Sequence, residues 1–427
     1  MRFTPMRAVP VHLRALLSLV LLATIVPPAR AGEAPLGLGE ALAISEQRSS
    51  KLAAQSSAVT AAAEQIGRSA QLPDPKIRLG VDNLPVSGPD AYSLTSDFMT
   101  MKRIGIMQEV PNGEKRRARG QRAEREQALE SVSLEALRAQ LRQDTAVSWL
   151  ELYYAHRTRD TVERLVRQYE LEAETVPAAV TSGRVSPAGA VLLRSALESA
   201  RDRVLEQRRT VLRAEASLAA LVGSAARRPL GDAPDTTTLA HSPAALVEGL
   251  ETHPALLLYK EREALAASEV ALATSSGQPD WSVEVLYGQR SPNFSNMLTV
   301  MFSIDLPLDK AKRQDRDVAT RASLLERARS ESEDARRAHE ADVRTMISDW
   351  EISHERARRF ETLLLPLARE RTELALAAYR GGRGDLAAVL EARRAEIETL
   401  LSLLAAELER GRAWARLNHL VPHGVKP

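Results

Sequence analysis

The sequence predicts a mainly α-helical chain with a transmembrane β-barrel contribution. Four strands in two hairpins are carried on very long helices, and the whole plan is an internal two-fold repeat. Three observations predict this. Landmarks recur at a nearly constant offset: Asp74 and Asp280 are 206 residues apart, Trp149 and Trp350 201, and Gly183 and Gly382 199. Two stretches carry helical periodicity far beyond an ordinary globular helix. Four short segments alternate apolar and polar side chains with a two-residue period.

The elements follow in order. Residues 1–31 place Arg2, Arg7 and Arg14 ahead of or within "RALLSLVLLATIV", then "PPARA" with the small Ala29 and Ala31. An apolar run of about a dozen residues is shorter than the roughly 20 that span a bilayer, so a removed export signal is expected rather than a membrane helix. The first copy, 32–222, opens with a helix near 36–71, which "PDP" at 73–75 stops. A hairpin is expected at about 76–110, with strands at 76–84 and 97–110, then a long helix over 114–180, a tip at 181–187 and a helix over 187–222. Residues 223–243 form an equatorial linker. The second copy, 244–418, repeats the order: helix 244–275, hairpin about 280–306, long helix 310–380, tip 381–385 and helix 386–416, with a tail over 419–427.

At about 1.5 Å per residue each long helix reaches on the order of 100 Å. Such a helix needs packing along its length, as in a coiled coil or a tubular bundle. "EKRRARGQRAEREQALESVSLEALRAQLRQ" supplies Ala and Leu at three- and four-residue spacings, with Glu and Arg between them. At the first tip, "TSGRVSPAGAVL", Gly183 stops one helix and Ser186 caps the next, with Pro187 in the favoured first position. At the second, "RGGRGDLAAVL", Gly381, Gly382 and Gly384 take the stop role and Asp385 the cap. A surface loop is the plain reading of each. Matching turns at matching depth point to a contact surface made of Gly183, Arg184, Ser186, Gly382, Arg383, Gly384 and Asp385.

In the strands, Ile77, Leu79 and Val81 share a face, as do Trp281, Val283, Val285 and Tyr287, and Leu298, Val300, Phe302, Ile304 and Leu306. "DFMTMKRIGIMQEVP" is patchier. A soluble half-buried sheet gives the same period. Strands of about 9 to 11 residues, however, have the length of a tilted bilayer-crossing strand. Open edges are forbidden in hydrocarbon, and four strands cannot close a barrel within one chain, so the hairpins would be pooled between subunits.

Composition removes other classes. The 58 basic and 56 acidic side chains nearly balance, which argues against nucleic acid as a partner. With no cysteine there are no disulfides, thiolate sites or lipidated N-terminal cysteine. His253, His241, His156 and His419 lack metal-site spacing and read as structural or surface residues. Met99, Met101 and Met107 are conceivable soft ligands, but packing on a strand face is the commoner role of methionine. The basic run "GEKRRARG" at 113–120 suits a headgroup layer or a solvated helix start. No Walker motif, dinucleotide fingerprint or nucleophile elbow occurs, so neither an enzyme, a cofactor nor a resident metal is expected.

Taken together, the repeat plan, "LPDPKIRLGVDNLP" and "DFMTMKRIGIMQEVPNGEKR" resemble the TolC-like outer membrane efflux proteins over roughly 36–418. The family tip pattern maps onto Gly183, Ser186, Val191 and Leu192, and onto Gly382, Asp385, Val389 and Leu390, with one residue inserted in the first copy and Gly384 added in the second. The resemblance implies a homotrimer with a twelve-stranded barrel in outer membrane lipid and a helical tunnel in the periplasm. It implies a passive exit duct, joined at its tips to a periplasmic adaptor (membrane fusion protein) and through it to an inner-membrane efflux pump. "PDP…NLP" followed by "DFMTM…QEVP" is similar to the branch paired with resistance-nodulation-division pumps for copper/silver or cobalt/zinc/cadmium, so transported metal ions, or small molecules, are the expected cargo. The alternative from another class is a soluble periplasmic coiled-coil adaptor or scaffold.

Overall fold

The structure, a computed structural model, describes residues 34–421. The expected export signal and the last six residues of the expected tail, 422–427, lie outside the described residues.

Helices α1 (Leu38–Arg48) and α2 (Ser50–Ser69) replace a single expected helix. Ser49 breaks it: extended at φ −69° and ψ 103°, it caps α2 by accepting from the Leu52 amide at 3.2 Å. Strands β1 (Lys76–Asp82) and β2 (Met101–Val110) follow. Asn112 then caps the 69-residue α3 (Gly113–Thr181), accepting from the Glu114 amide at 2.8 Å. Helix α4 (Pro187–Val222) returns antiparallel along it, and a 3₁₀ turn at Gly223–Arg227 leads into the linker.

The second half begins with the short α5 (Pro243–Glu248) and α6 (Pro254–Ser275), then β3 (Trp281–Gln289) and β4 (Met297–Ile304). The expected long helix is interrupted. It runs as α7 (Gln314–Arg359), a π-turn at Phe360–Leu364 and α8 (Leu365–Arg380). Pro366 is the physical reason: it has no amide to give the preceding turn and its ring crowds the carbonyl four residues back, so the turn widens. Helix α9 (Leu386–Asn418) packs against α8, α7 and α3. No described helix is long and apolar enough to cross a membrane.

All four strands join in one antiparallel sheet in the order β1-β2-β3-β4, so the two hairpins are linked by β2–β3 pairing. β1 and β4 are its outer strands.

The helical core lies away from the sheet, about the middle of the long helices. Trp149, Leu150, Leu36 and Leu218 are fully buried there. The Trp149 indole donates to the Leu36 carbonyl at 3.0 Å, and Trp350 donates to the Thr236 carbonyl at 3.1 Å. Each long helix thus ties down the segment that precedes the first helix of its own copy. Leu36 also bridges Leu230 of the linker as a single parallel β-pair, which locks the start of the first half to the linker that follows its last helix.

A histidine pair joins α6 to α7. His253, the residue before α6, is fully buried, and its Nδ1 lies 2.9 Å from His339 Nε2. Burial first, then the nearby His339 and His241, push His253 down to about 4. Its folded value thus lies below the usual 6.5, so its contribution to stability is complete above pH 6.5 and disappears as pH falls toward 4. The expected outcome is a melting temperature that drops between about pH 7 and about pH 4.5, with a clearly smaller drop in His253→Phe, read by thermal unfolding of the purified protein.

Candidate functional site

The sheet has two unlike faces, and the strand register builds each in rows. Ile77, Ile106, Val285 and Val300 lie side by side, as do Leu79, Ile104, Tyr287 and Leu298. Gln108, Val283 and Phe302 form the next row, and Val110, Trp281 and Ile304 the last, while Val81 pairs with Lys102. The alternation places Ile77, Leu79, Val81, Trp281, Val283, Val285, Tyr287, Leu298, Val300, Phe302 and Ile304 on this face, whereas Leu306, expected with them, lies beyond the end of β4. That face is turned outward: Ile77 is 73%, Leu79 75% and Phe302 72% exposed. A soluble sheet does the reverse and buries its apolar side.

The opposite face carries the charge. Its rows are Lys76, Met107, Glu284 and Met301, then Arg78, Gly105, Leu286 and Thr299, then Gly80, Arg103, Gly288 and Met297. Arg103 pairs with Asp82 at 2.5 Å, Arg78 with Glu284 at 3.1 Å, and Lys76 with Glu109. On β3 this face is buried at Glu284, Leu286 and Gly288 while Val285 and Tyr287 are exposed, so the sheet curls around its polar side. Glycine permits the curl. A Cβ on Gly105 would lie 2.6 Å from Leu286 Cδ2 and 2.7 Å from the Val285 carbonyl oxygen.

Both ends of the sheet are pinned across the repeats. At the helix end Asp280 accepts from the Asn112 amide at 2.8 Å and from Lys115 Nζ at 2.6 Å. Burial pushes its carboxyl up, but these hydrogen bonds and the charges of Lys115 and Arg119 outweigh it and hold Asp280 below the usual range. At the loop end Arg290 Nε donates to the Phe98 carbonyl at 2.9 Å, and its guanidinium sits 4.9 Å from the Phe294 ring centre.

The two tips share one geometry. Gly183 and Gly382 have φ of 69° and 68°. Arg184 donates to the Ala179 carbonyl at 2.9 Å and Gly183 to Val180 at 3.0 Å. In the second tip Arg383 donates to Ala378 at 2.9 Å and Gly382 to Tyr379 at 3.1 Å, so each helix ends in a Schellman motif. Ser186 accepts from the Gly189 amide at 3.1 Å and Asp385 from Ala388 at 2.9 Å. Only Gly382 of the three second-tip glycines takes the left-handed shape. Gly384 instead makes room: a Cβ there would lie 3.2 Å from both Ala378 Cβ and the Tyr379 nitrogen.

The inserted residue of the first tip has a visible effect. Val191 is 62% exposed, whereas Val389 is 1% exposed. One extra residue turns the Val-Leu pair by about 100° around the helix axis, so Val191 and Leu192 face outward and Leu193 takes the buried place. The sequence reading missed a clamp just behind the tips. Arg393 of α9 pairs with Glu172 of α3 at 2.5 Å, and both are largely buried. Burial raises the Glu172 carboxyl despite this partner. Nothing in the linear sequence pairs residues so far apart. Among the described residues no three His, Asp or Glu side chains gather as a metal site.

No protein-family model and no curated protein matches this chain. Solved structures do. CusC, studied for the conformational changes accompanying folding and transmembrane channel formation, superposes with a TM-score of 0.77 at 15% identity, over 90% of this chain and 92% of that one. A membrane protein from Pseudomonas aeruginosa gives 0.76 at 15% identity, over 90% of each chain. The outer membrane protein VceC from Vibrio cholerae gives 0.74 at 16% identity, over 90% of this chain and 95% of that one. The chain therefore has the fold of these membrane proteins along nearly its whole length.

The curl of the sheet supplies a test. Gly105→Ala is expected to disrupt the sheet because its Cβ meets backbone, whereas Gly80→Ala, whose nearest neighbour is 3.9 Å away, is tolerated. Migration of unheated and heated samples of the two variants on SDS gels checks this.

Proposed function

We propose that this chain is the outer-membrane exit duct of a tripartite efflux system and a member of the TolC-like channels. The observation that carries the reading is the inverted sheet: its exposed face is apolar apart from Gln108, Gln289 and Lys102, the last two at its loop end, and its ion-paired charges sit on the opposite side. Such a sheet suits a barrel wall between lipid and a water-filled lumen. Its open edges call for pairing with further copies, and three copies would give twelve strands above a tube of helices. The shared fold with known outer-membrane channels supports the same reading.

In this proposal the helices project into the periplasm and the tips at Gly183–Asp385 level meet the helical hairpins of a periplasmic adaptor. Arg184, Ser186, Arg383 and Asp385 present the exposed polar groups there, and Gly183, Gly382 and Gly384 permit the tight backbone. The inner-membrane pump supplies the energy and the choice of cargo. Heavy-metal cations delivered by a resistance-nodulation-division pump are the proposed cargo, on the strength of the strand wording. The duct itself does no chemistry: ion pairs such as Arg393–Glu172 hold the hairpins together, and adaptor contacts rearrange them.

Two outcomes are expected. Purified protein forms pores in planar bilayers and fractionates with the outer membrane as an SDS-resistant oligomer; a soluble periplasmic monomer without conductance would sink the duct. The Gly183→Val, Gly382→Val double variant keeps the oligomer but loses efflux in a metal-sensitivity assay. Separately, Val285→Lys puts a charge in the middle of the outward face, where it is expected to cost about 2–4 kcal/mol. Its loss of outer-membrane assembly is read by fractionation.

A further inference from the structure

Six methionines fall among the described residues: Met99, Met101, Met107, Met297, Met301 and Met346. Five belong to the sheet or the loop leading into it, and four share its polar face. This is an odd place for them. Methionine ordinarily fills apolar gaps, yet here the apolar residues occupy the other face.

The register sorts the four into two pairs. Met107 and Met301 lie directly opposite Glu284 from its two sides, and Met297 lies opposite Gly288. Facing Cβ atoms sit about 4.5–5.5 Å apart across a strand pair, so the two methionines of the first row flank one carboxylate. Glu284 is 6% exposed, and its Oε1 receives no hydrogen bond. Arg78 occupies the position now. Its Nε is 3.1 Å from Glu284 Oε1 and its Nη2 is 3.1 Å from Met107 Sδ. A positive charge is thus already held between a sulfur and a carboxylate. The Arg78 side chain is 53% exposed and free to swing aside.

We propose that Met107, Glu284 and Met301 form a binding site for a soft monovalent cation, Cu(I) or Ag(I), on the polar face of the sheet. Two thioethers select a soft ion over Mg²⁺ or Ca²⁺, which prefer oxygen ligands. The carboxylate balances its charge, and Arg78 leaves as the ion arrives. Met101 and Met297 make a second thioether step four residues further along β3. Gly288 leaves the space for it, since a Cβ there would lie 3.2 Å from Met101 Sδ. The cation class deepens the duct reading and rests on the polar face lining the lumen.

The test uses the full-length protein, purified in detergent and exposed to Ag(I) in chloride-free buffer. Retained silver after desalting is measured by mass spectrometry, and silver–sulfur scattering by X-ray absorption. Wild type and the control Met346→Leu are expected to retain silver with sulfur neighbours. Met107→Leu with Met301→Leu, which conserves volume, is expected to lose the share of retained silver held beside Glu284 while keeping the SDS-resistant oligomer. Equal retention by the double variant, or none by wild type, would overturn the site. Conductance on the same samples reports separately: wild type that retains silver but forms no pores overturns the duct and leaves the site standing.

Discussion

The unpaired edges of β1 and β4 constrain everything else in this molecule. A strand edge is a row of amides and carbonyls that must find partners. Here the edges flank a sheet whose apolar side is already turned outward, so a covering helix or a soluble partner sheet would not resolve the problem. Hydrocarbon satisfies the apolar side only if no edge remains. Closure with further copies meets both demands at once. In the proposed duct the polar side becomes the inside, and its ion pairs, Arg103–Asp82 and Arg78–Glu284, line the aqueous path.

The helices answer a different constraint, which is length. A helix of 69 residues has more exposed backbone turns than propensity alone can hold. Packing on α4, α6 and α9 holds it, and the Trp149 indole fixes where along its length the Leu36 segment sits, as Trp350 of α7 does for Thr236. Asp280 performs the same service at the sheet, where one carboxylate of the second copy holds the Asn112 amide and Lys115 of the first. Sheet and tube are therefore registered to each other across the repeat and not merely along the chain. The π-turn before Pro366 shows the tolerance of the arrangement: α7 and α8 both still pack on α9 across the widened turn.

Much of this was legible in the residues. The caps at the tips were legible because capping is local chemistry: Gly183 could end one helix, and Ser186 and Asp385 could each accept an amide three residues on, but which of Gly381, Gly382 and Gly384 turns left-handed was not. The apolar strand face was legible for the same reason, since alternation depends only on chain geometry. The breaks at Ser49 and at Phe360–Leu364 were not. Ser49 looks like any helical serine until its extended backbone is seen, and a proline inside a long helix leaves open whether the helix stops, kinks or widens.

What the sequence by itself determined is the two-fold order of helical stretches and hairpins and the alternation of sides along each strand. Those depend on neighbours within a few positions. Only the tertiary structure decided which face of the sheet is exposed, that Val191 turns outward where Val389 turns in, and that Arg393 meets Glu172. It alone brought Met107 and Met301 to the two sides of Glu284. Such facts depend on register between strands and helices far apart in the chain, and register is set by packing, hydrogen bonding and burial summed over the whole molecule.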